Sequence, residues 1–300
     1  MESIFLQIEE LVQDLSLREH YAALSKRYRT EQNKQLASYE EHLAYLASRM
    51  PATFAACSEV FSRLDEVAAG FSPKSMLDIG SGPGTCVLAF PGSVEQVTMV
   101  EINEQFVAFA KKFLSTKAAS CRWQSQIPQG EKFDLVTSSY MLSELHNLQE
   151  MLVLIEQAVG EMAVLIDTGT PHGYQTLMQA RDYFIKMGYT ILAPCPHNGP
   201  CPMPWCHFSV RLPRSRLHRH MKGGSLGYED EKFCYLIASK SYKRASSYDR
   251  IVKPPLHRSG HTHLTLCTHE GILREEVVSK KTKERYKAAK KAEWGDTLSI

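Results

Sequence analysis

Three cysteines separated by prolines give this chain its most distinctive chemistry. Cys195, Cys201 and Cys206 lie within twelve positions, in a stretch that also carries His197 and five prolines. The fixed backbone angles of proline lower the entropy cost of bringing the thiols together. Thiolates this close repel one another unless a cation binds them. The sequence therefore predicts a metal centre in this stretch.

A fourth ligand is needed by either of the two centres that suit these thiols, a tetrahedral zinc ion or an iron–sulfur cluster. The candidates are His197, His207 and Cys267. Zinc knuckles favour two to four residues between cysteines, whereas here five, four and then sixty residues intervene. Wide gaps favour a larger inorganic core, and Cys-Pro pairs are typical of ferredoxin ligand loops. Spacing alone leaves both metals open.

A glycine-rich turn predicts a second site. Asp78 lies in a short apolar run that leads into Gly80, Gly82 and Gly84. Glycines let the backbone approach a bound ligand closely. Glu101 ends the next predicted strand, where its carboxylate can accept hydrogen bonds from both hydroxyls of a ribose. A proline interrupts the glycine spacing of a dinucleotide fingerprint.

The Asp-x-Gly-x-Gly-x-Gly form resembles the first motif of class I S-adenosylmethionine-dependent methyltransferases, whose loop holds the methionine end and whose acid holds the ribose. The resemblance implies that this chain binds S-adenosylmethionine. The candidate cofactor-binding residues are Asp78, Gly80, Ser81, Gly82, Gly84, Glu101 and Ser138. Many base-methylating relatives carry an Asn-Pro-Pro-Tyr type motif after the fourth strand, where this chain has Thr-Ser-Ser-Tyr at 137–140. That difference argues against amine methylation, and no catalytic base is identified.

The elements that must position these residues predict an α/β fold. Helical spacing of apolar residues indicates an N-terminal helical region, with segments from about Glu31 to Arg49 and from Pro51 to Ala69. Strands and helices then alternate, which indicates a parallel sheet covered on both faces. The predicted strands are Ser75–Ile79, Gln96–Glu101, Phe133–Ser138, Ala163–Asp167 and Lys232–Lys240, and the predicted helices are Glu104–Leu114, Leu148–Gly160 and Tyr174–Met187.

Three domains follow from this pattern. Residues 1–70 form the helical region, and residues 71–245 form a methyltransferase-like domain with a Cys-rich, metal-binding insertion at 194–227. Residues 246–300 form a basic extension, which completes the metal site if Cys267 is the fourth ligand. Within that extension, residues 261–279 predict a hairpin that turns near Glu270, and residues 279–294 predict a Lys-rich helix.

The charge of the chain is divided unevenly along its length. The net charge is +2, but residues 1–210 hold 15 basic and 23 acidic residues (net −8), and residues 211–300 hold 20 and 10 (net +10). A basic third of this kind predicts contact with a polyanion. Because little base-reading chemistry is evident, we expect recognition of the backbone and shape of folded RNA.

Composition excludes several classes of protein. Hydrophobic residues make up 43% and charged residues 23%, as in ordinary globular chains, so disorder and coiled coil do not describe the whole. No apolar run approaches the ~18 residues of a membrane span, and none is expected. The first residues are acidic and amphipathic, without the features of a secretory signal or an Arg-rich transit peptide. The expected location is therefore a bacterial-type cytoplasm, with the eight cysteines reduced.

A longer set of motifs is similar to the Rsm-twenty-two-like proteins, methyltransferase-like proteins of the small ribosomal subunit in bacteria and mitochondria. These motifs are the Cys-Pro-His…Cys-Pro…Trp-Cys-His-Phe run, the late Cys267, Ser143-Glu144-Leu145, and the closing Tyr286…Trp294-Gly295-Asp296. The resemblance covers about residues 73–300.

This resemblance implies a class I methyltransferase fold and a 4Fe-4S cluster bound by Cys195, Cys201, Cys206 and Cys267. It also implies a role in assembly or translation competence of the small ribosomal subunit through contact with its rRNA, and a monomer away from the ribosome. Catalysis is left open. One alternative is an active rRNA methyltransferase, and a second is a zinc-stabilised small-molecule methyltransferase with an incidental basic tail.

Overall fold

The computed structural model describes residues 2–12, 16–29, 36, 38–114, 120–244 and 247–299. The chain divides into two compact units. Unit 1 comprises residues 1–61, 72–128 and 210–231, and unit 2 comprises residues 62–71, 129–209 and 232–300. The domain boundaries predicted from the sequence stay a prediction.

The helices are α1 (Glu2–Val12), α2 (Arg18–Arg29), α3 (Tyr39–Ser48), α4 (Met50–Val67), α5 (Thr85–Ala89), α6 (Glu104–Phe113), α7 (Leu148–Ala158), α8 (Pro171–Lys186), α9 (Arg216–Lys222) and α10 (Lys283–Lys291). The strands are β1 (Ser75–Ile79), β2 (Gln96–Val100), β3 (Ser120–Gln124), β4 (Phe133–Ser139), β5 (Val159–Thr168), β6 (Thr190–Ala193), β7 (Phe208–Pro213), β8 (Tyr228–Ser239), β9 (Tyr248–Ile251), β10 (Leu256–Arg258), β11 (His261–Cys267), β12 (Leu273–Ser279) and β13 (Thr297–Ser299). Among the described residues, no helix combines the length and the apolar character needed to cross a membrane.

The N-terminal helical region is confirmed within the described residues by α1 to α4. Helix α3 begins after Ser38, whose hydroxyl accepts a hydrogen bond from the amide of Glu41 at 3.2 Å and so caps the helix. The segment predicted from Glu31 begins earlier, but residues 31–35 and 37 lie outside the described part of the chain.

Unit 1 contains a parallel sheet with the strand order β3-β2-β1. The last four residues of β1 and of β2 are buried, as near-continuous apolar strands of a parallel sheet require. Ile79 pairs with Val100, and Val100 pairs with Gln124. The carboxyl ends of β1 and β2 are therefore adjacent, which brings the following residues, Gly80 and Glu101, to one edge of the sheet.

Unit 2 contains strands in the order β4-β5-β8-β6. β4 and β5 are parallel, and β8 is antiparallel to both β5 and β6. Parallel strands followed by one antiparallel strand are typical of class I S-adenosylmethionine-dependent methyltransferases, and the predicted α/β fold is confirmed. The strand predicted at Lys232–Lys240 is the longer β8. The sequence does not predict β6 and β7, which flank the Pro-rich segment.

A second sheet lies at the C-terminal end of unit 2, with the order β10-β11-β9-β13 and β12 paired with β11. β11 and β12 form the predicted hairpin, which turns at Gly271 with φ +81°. The Lys-rich helix predicted at 279–294 is α10. A small apolar core joins the sheet and the helix; its buried residues are Ile251, Leu264, Leu266, Val278 and Ala289.

We expect Leu264→Ala to lower the free energy of unfolding by about 2–5 kcal/mol, because it leaves a cavity in this core. Val277→Ala on the same hairpin is the control, since that side chain is 57% exposed, and its effect should stay within about 0.5 kcal/mol. Urea denaturation of both variants measures the difference. Equal effects of the two substitutions would show that the stability of the C-terminal sheet does not depend on this apolar core.

Candidate cofactor site and metal centre

The glycine-rich turn after β1 requires glycine for two different reasons. Gly82 has φ +52° and Gly84 has φ +81°, values in the left-handed region that side chains disfavour. A Cβ on Gly84 would lie 2.7 Å from Cδ1 of Leu114, whereas a Cβ on Gly82 would meet nothing within 4 Å. The turn is therefore packed against the protein at Gly84 and open at Gly82, where a ligand can approach the backbone.

Glu101 is joined to this turn. One of its carboxylate oxygens accepts a hydrogen bond from the amide of Gly82 at 2.8 Å, and the other accepts from the amide of Asn103 at 2.7 Å. A carboxylate has about four acceptor positions, so capacity for ribose hydroxyls remains. The structure thus brings the predicted acid and the predicted loop together within unit 1.

Two buried hydroxyls beside the turn have no hydrogen-bond partner among the described residues. They are Oγ of Ser81, a residue that is 5% exposed, and Oγ1 of Thr85, which is 3% exposed. Buried polar groups in proteins are nearly always hydrogen-bonded. Together with the fully buried Asp78 at the end of β1, the turn has the donor and acceptor groups of a site for a polar ligand.

Ser138, the remaining predicted cofactor residue, lies at the end of β4 in unit 2, and its buried Oγ is also unpartnered within the described chain. Tyr140 follows with φ +57°, a strained value for a residue with a side chain. Its amide donates a hydrogen bond to the carbonyl oxygen of Ile166 at 2.8 Å. Strained residues of this kind cluster at functional sites.

Asp167 fixes the turn after β4 and was not singled out from the sequence. Its carboxylate accepts hydrogen bonds from the amide and hydroxyl of Ser143 at 2.9 and 2.6 Å and from the amide of Thr168 at 2.7 Å. Burial raises the pKa of Asp167, and the hydrogen bonds from Ser143 oppose that shift. The Ser-Glu-Leu motif after the fourth strand was the available signal, since Ser143 is its first residue.

The four predicted metal ligands converge on one cavity in unit 2. Cys195, Cys201, Cys206 and Cys267 line a space of about 560 Å³, counting its opening to solvent. Its walls come from α8, the 194–208 segment, β8, β9 and β11. Residues that are 61 positions apart along the chain, Cys206 and Cys267, therefore face the same space.

Burial makes three of these thiols, Cys195, Cys206 and Cys267, weaker acids when no metal is bound. It raises the pKa of Cys195 and Cys206, and raises that of Cys267 to about 12. Neighbouring thiolates add to the increase at Cys206 and Cys267, while the charge of Arg181 partly offsets it at Cys195. A metal that binds here must therefore displace protons and supply positive charge.

The two histidine candidates for the fourth ligand have other roles, and neither lines the cavity. Nε2 of His197 lies 3.5 Å from Sγ of Cys267, and burial lowers the pKa of this histidine. The ring of His207 stacks on Trp205 at 4.3 Å and meets the edge of Trp294 at 4.9 Å. Cys267 is thus the candidate that shares the cavity with the other three thiols.

The described residues do not form a preorganised site for a single metal ion. Among the residues that the structure describes, no three His, Cys, Asp or Glu side chains lie close enough together to hold a single ion. A tetrahedral zinc site has Zn–S bonds of about 2.3 Å and so needs its four sulfurs within about 3.8 Å of one another. Zinc would therefore require the thiols to move together.

Several cavity residues were missed by sequence reasoning. Cys234 lines the same cavity, and its Sγ donates to the carbonyl oxygen of Cys206 at 3.2 Å. Tyr174 on α8 donates to the carbonyl oxygen of Met203 at 2.8 Å and contacts Sγ of Cys201 at 3.5 Å. Burial raises the pKa of Cys234 to about 12. No local spacing pattern marks these residues, because each belongs to an ordinary helix or strand.

Two buried arginines, also missed, hold the cysteine segment in place. Arg181 on α8 donates to the carbonyl oxygens of His197 and Gly199 at 3.1 and 2.7 Å. Arg250 on β9 donates to the carbonyl oxygen of Pro194 at 3.0 Å and to that of Gly295 at 2.6 Å. These contacts replace the apolar core that the segment lacks.

Three basic residues of unit 1 have acidic partners. Arg211 pairs with Asp230 at 2.7 Å, and Glu229 pairs with Arg214 at 2.8 Å and with Lys222 at 2.6 Å. These three cations share two carboxylates, whereas Arg216 and Arg219 are exposed and make no ion pair with the described residues.

The basic residues around α10 in unit 2 are different. Arg285 pairs with Glu276 at 2.7 Å and Lys287 with Glu284 at 2.9 Å. Five exposed lysines make no ion pair with any residue that the structure describes: Lys280, Lys281, Lys283, Lys290 and Lys291. This group, the α10 lysines, is a positive surface without acidic partners among the described residues.

A family described as mitochondrial small ribosomal subunit Rsm22 matches residues 39–299. The human mitochondrial ribosome assembly protein METTL17 is 29% identical, over 93% of this chain and 67% of its own length. The mitochondrial Rsm22-cox11 tandem protein 2 of Schizosaccharomyces pombe is 26% identical, over 98% of this chain and 47% of its own length. The mitochondrial ribosome assembly protein RSM22 of Saccharomyces cerevisiae is 20% identical, over 58% of this chain and 45% of its own length. The chain thus spans about half the length of these yeast relatives.

Solved methyltransferases are similar only distantly. The plantazolicin methyltransferase BpumL, in complex with a desmethylated plantazolicin analogue and S-adenosylhomocysteine, is 15% identical with a TM-score of 0.43, over 78% of this chain and 99% of that chain. The fold assignment therefore rests on the strand order and the glycine-rich turn described above, and not on this similarity.

The predicted bacterial-type cytoplasmic location is wrong, because the matching family and these three relatives are all described as mitochondrial. The prediction came from the lack of an Arg-rich, acid-poor composition near residue 1. Such a composition indicates import when it is present, but its absence does not indicate a compartment.

We expect Glu101→Ala to weaken the binding of S-adenosylmethionine by about 10- to 100-fold, since hydrogen bonds to a charged group contribute about 1.5–3 kcal/mol. Glu95→Ala, an exposed acid at the other end of β2, is the control and should bind as the unchanged chain does. Isothermal titration calorimetry measures both. Unchanged affinity in Glu101→Ala would remove this carboxylate from the cofactor site.

Proposed function

Because the chain belongs to the family of mitochondrial small ribosomal subunit Rsm22 proteins, we propose that it is an assembly factor of the small ribosomal subunit that acts in mitochondria. The observation that carries the proposal is the family match over residues 39–299, which includes both the glycine-rich turn and the four proposed metal ligands. The relatives named as ribosome assembly proteins support the same role.

The proposal assigns the rRNA contact to the α10 lysines. These side chains are exposed and lack acidic partners among the described residues, so they can neutralise phosphates and gain free energy from the release of counterions. The paired cations of unit 1 are less suited, because an RNA phosphate would have to displace Glu229 or Asp230.

The proposal places a 4Fe-4S cluster between Cys195, Cys201, Cys206 and Cys267. Three features of unit 2 support it: a donor set that is entirely sulfur, a shared cavity, and thiols that are not close enough to hold one ion. In a four-iron cluster each thiolate binds its own iron, so the thiolates are held farther apart than on zinc. When bound, the cluster supplies covalent links between the 194–208 segment and β11.

We assign S-adenosylmethionine to the turn at 80–84, with Glu101 as the ribose acceptor. The unpartnered hydroxyls of Ser81 and Thr85 and the open side of Gly82 support this site. An active rRNA methyltransferase would use the same turn. Transfer of labelled methyl groups to immature small subunits would favour that second function, and binding of the subunit without transfer would favour the assembly role.

Serine substitutions test the ligand set of the metal centre. We expect Cys206→Ser and Cys267→Ser, each purified without oxygen, to lose most of the bound iron, because a hydroxyl is a poor replacement for a thiolate ligand. Cys234→Ser is the control. Cys234 lines the same cavity but is not a proposed ligand, so the iron content of this variant should equal that of the unchanged chain.

The readouts are iron by elemental analysis and the visible absorption of sulfur-to-iron charge transfer. If Cys234→Ser loses iron and Cys267→Ser keeps it, then Cys234 is the ligand and Cys267 is not. Zinc in place of iron in every sample would support the zinc-stabilised alternative.

Neutral substitutions test the ribosomal role. We expect the double variant Lys290→Gln, Lys291→Gln to bind immature small ribosomal subunits more weakly, and the slope of log affinity against log salt to fall by about 2, or about 1 for each phosphate contact. The control is Lys111→Gln, Lys186→Gln, which removes two exposed lysines from other helices.

Binding is measured by sedimentation over a range of salt concentrations. An equal loss in both double variants would mean that only total charge matters and that α10 is not the contact. If the unchanged chain fails to bind small subunits at any salt concentration, the proposed function is wrong.

A further inference from the structure

We propose that Arg181 and Arg250 neutralise the negative charge of the metal centre, and that Arg181 and Tyr235 donate hydrogen bonds to its sulfur atoms. The inference rests on the proposed function, because it assumes a cluster bound by the four cavity thiolates. It assigns these three residues the task of retaining the cluster and setting its reduction potential.

Arg181 is a buried cation with an unused donor that lines the cavity. The residue is 2% exposed, and its Nη2 group is held by the carbonyl oxygens of His197 and Gly199. Its Nε–H has no hydrogen-bond partner in the described chain. The one carboxylate near it belongs to Asp182, which lies 3.5 Å away with its side chain 71% exposed, so solvent screens that pairing.

Arg250 is buried more deeply and has no carboxylate partner among the described residues. It is fully buried and donates only to neutral oxygens: the carbonyls of Pro194 and Gly295, and the Tyr248 hydroxyl at 3.3 Å. A buried guanidinium without an anion is strongly unfavourable. The wall of the cavity therefore carries positive charge, which a negatively charged group inside the cavity would neutralise.

The acid adjacent to Arg250 along the chain does not meet that need. Asp249 is ion-paired with Arg274 and also accepts a hydrogen bond from the amide of His269 at 3.1 Å. Four thiolates and a four-iron core of charge two plus sum to a charge of two minus. Arg181 and Arg250 bring two positive charges, so the filled cavity is close to neutral.

Tyr235 on β8 supplies a second donor. Its hydroxyl is buried, unpartnered within the described chain, and part of a side chain that lines the cavity. A phenol keeps its proton at neutral pH and can donate to sulfur. Hydrogen bonds to cluster sulfurs and nearby positive charge both raise the reduction potential.

The test measures the midpoint potential of the reconstituted full-length chain by titration with titanium(III) citrate, followed by electron paramagnetic resonance. We expect Arg181→Gln to lower the ratio of reduced to oxidised cluster at a fixed potential by about tenfold, a shift of about 59 mV for one electron. The cluster should also be lost faster to a chelator. Arg181→Lys, which keeps the charge, should recover most of the potential, and Lys186→Gln on the same helix should match the unchanged chain.

Tyr235→Phe keeps the ring and removes only the hydroxyl, so it tests the hydrogen bond even if Arg181→Gln does not fold. We expect a smaller shift in the same direction, about threefold in the same ratio. If Arg181→Gln and Tyr235→Phe both keep the potential and the retention of the unchanged chain, the proposal is wrong. If Arg181→Gln does not fold, an unshifted Tyr235→Phe overturns it. A chain that binds no iron at all overturns the cluster itself, which separates failure of the proposed function from failure of this inference.

Discussion

The convergence of four thiols on one cavity is the constraint on which the rest of unit 2 depends. The 194–208 segment is rich in proline and poor in apolar side chains, so it cannot be held by hydrophobic packing alone. Hydrogen bonds from Arg181 and Arg250 to its carbonyl oxygens keep it beside α8 and β9. Those bonds place positive charge next to the thiols, and this charge favours a metal centre of negative charge.

The cofactor site and the metal centre are formed by different local features of the chain. In unit 1, adjacent parallel strands bring a glycine-rich turn to a carboxylate, and the turn exists because Gly82 and Gly84 adopt angles that other residues disfavour. In unit 2, a loop and a hairpin strand face a common cavity. Binding at each site can therefore be measured with substitutions of that site's own residues.

Sequence reasoning finds what is encoded locally. The glycine-rich turn, Glu101, the three clustered cysteines and the β11–β12 hairpin each have a short-range signature. In the structure Glu101 contacts the turn, the three cysteines line one cavity, and the hairpin forms. Cys267 was one of three candidates by spacing, and the resemblance favoured it. Cys234, Arg181, Arg250 and Tyr235 have no such signature, because their roles come from burial against residues far away in the chain. The predicted compartment was wrong because it was inferred from the absence of an Arg-rich, acid-poor composition near residue 1.

Counting metal and acid-labile sulfide in the unchanged chain, purified without oxygen, tests the central claim most directly. The account predicts about four irons and about four sulfides per chain, with little zinc. One zinc per chain without sulfide, or a chain that binds no metal and keeps its four thiols free, would contradict it.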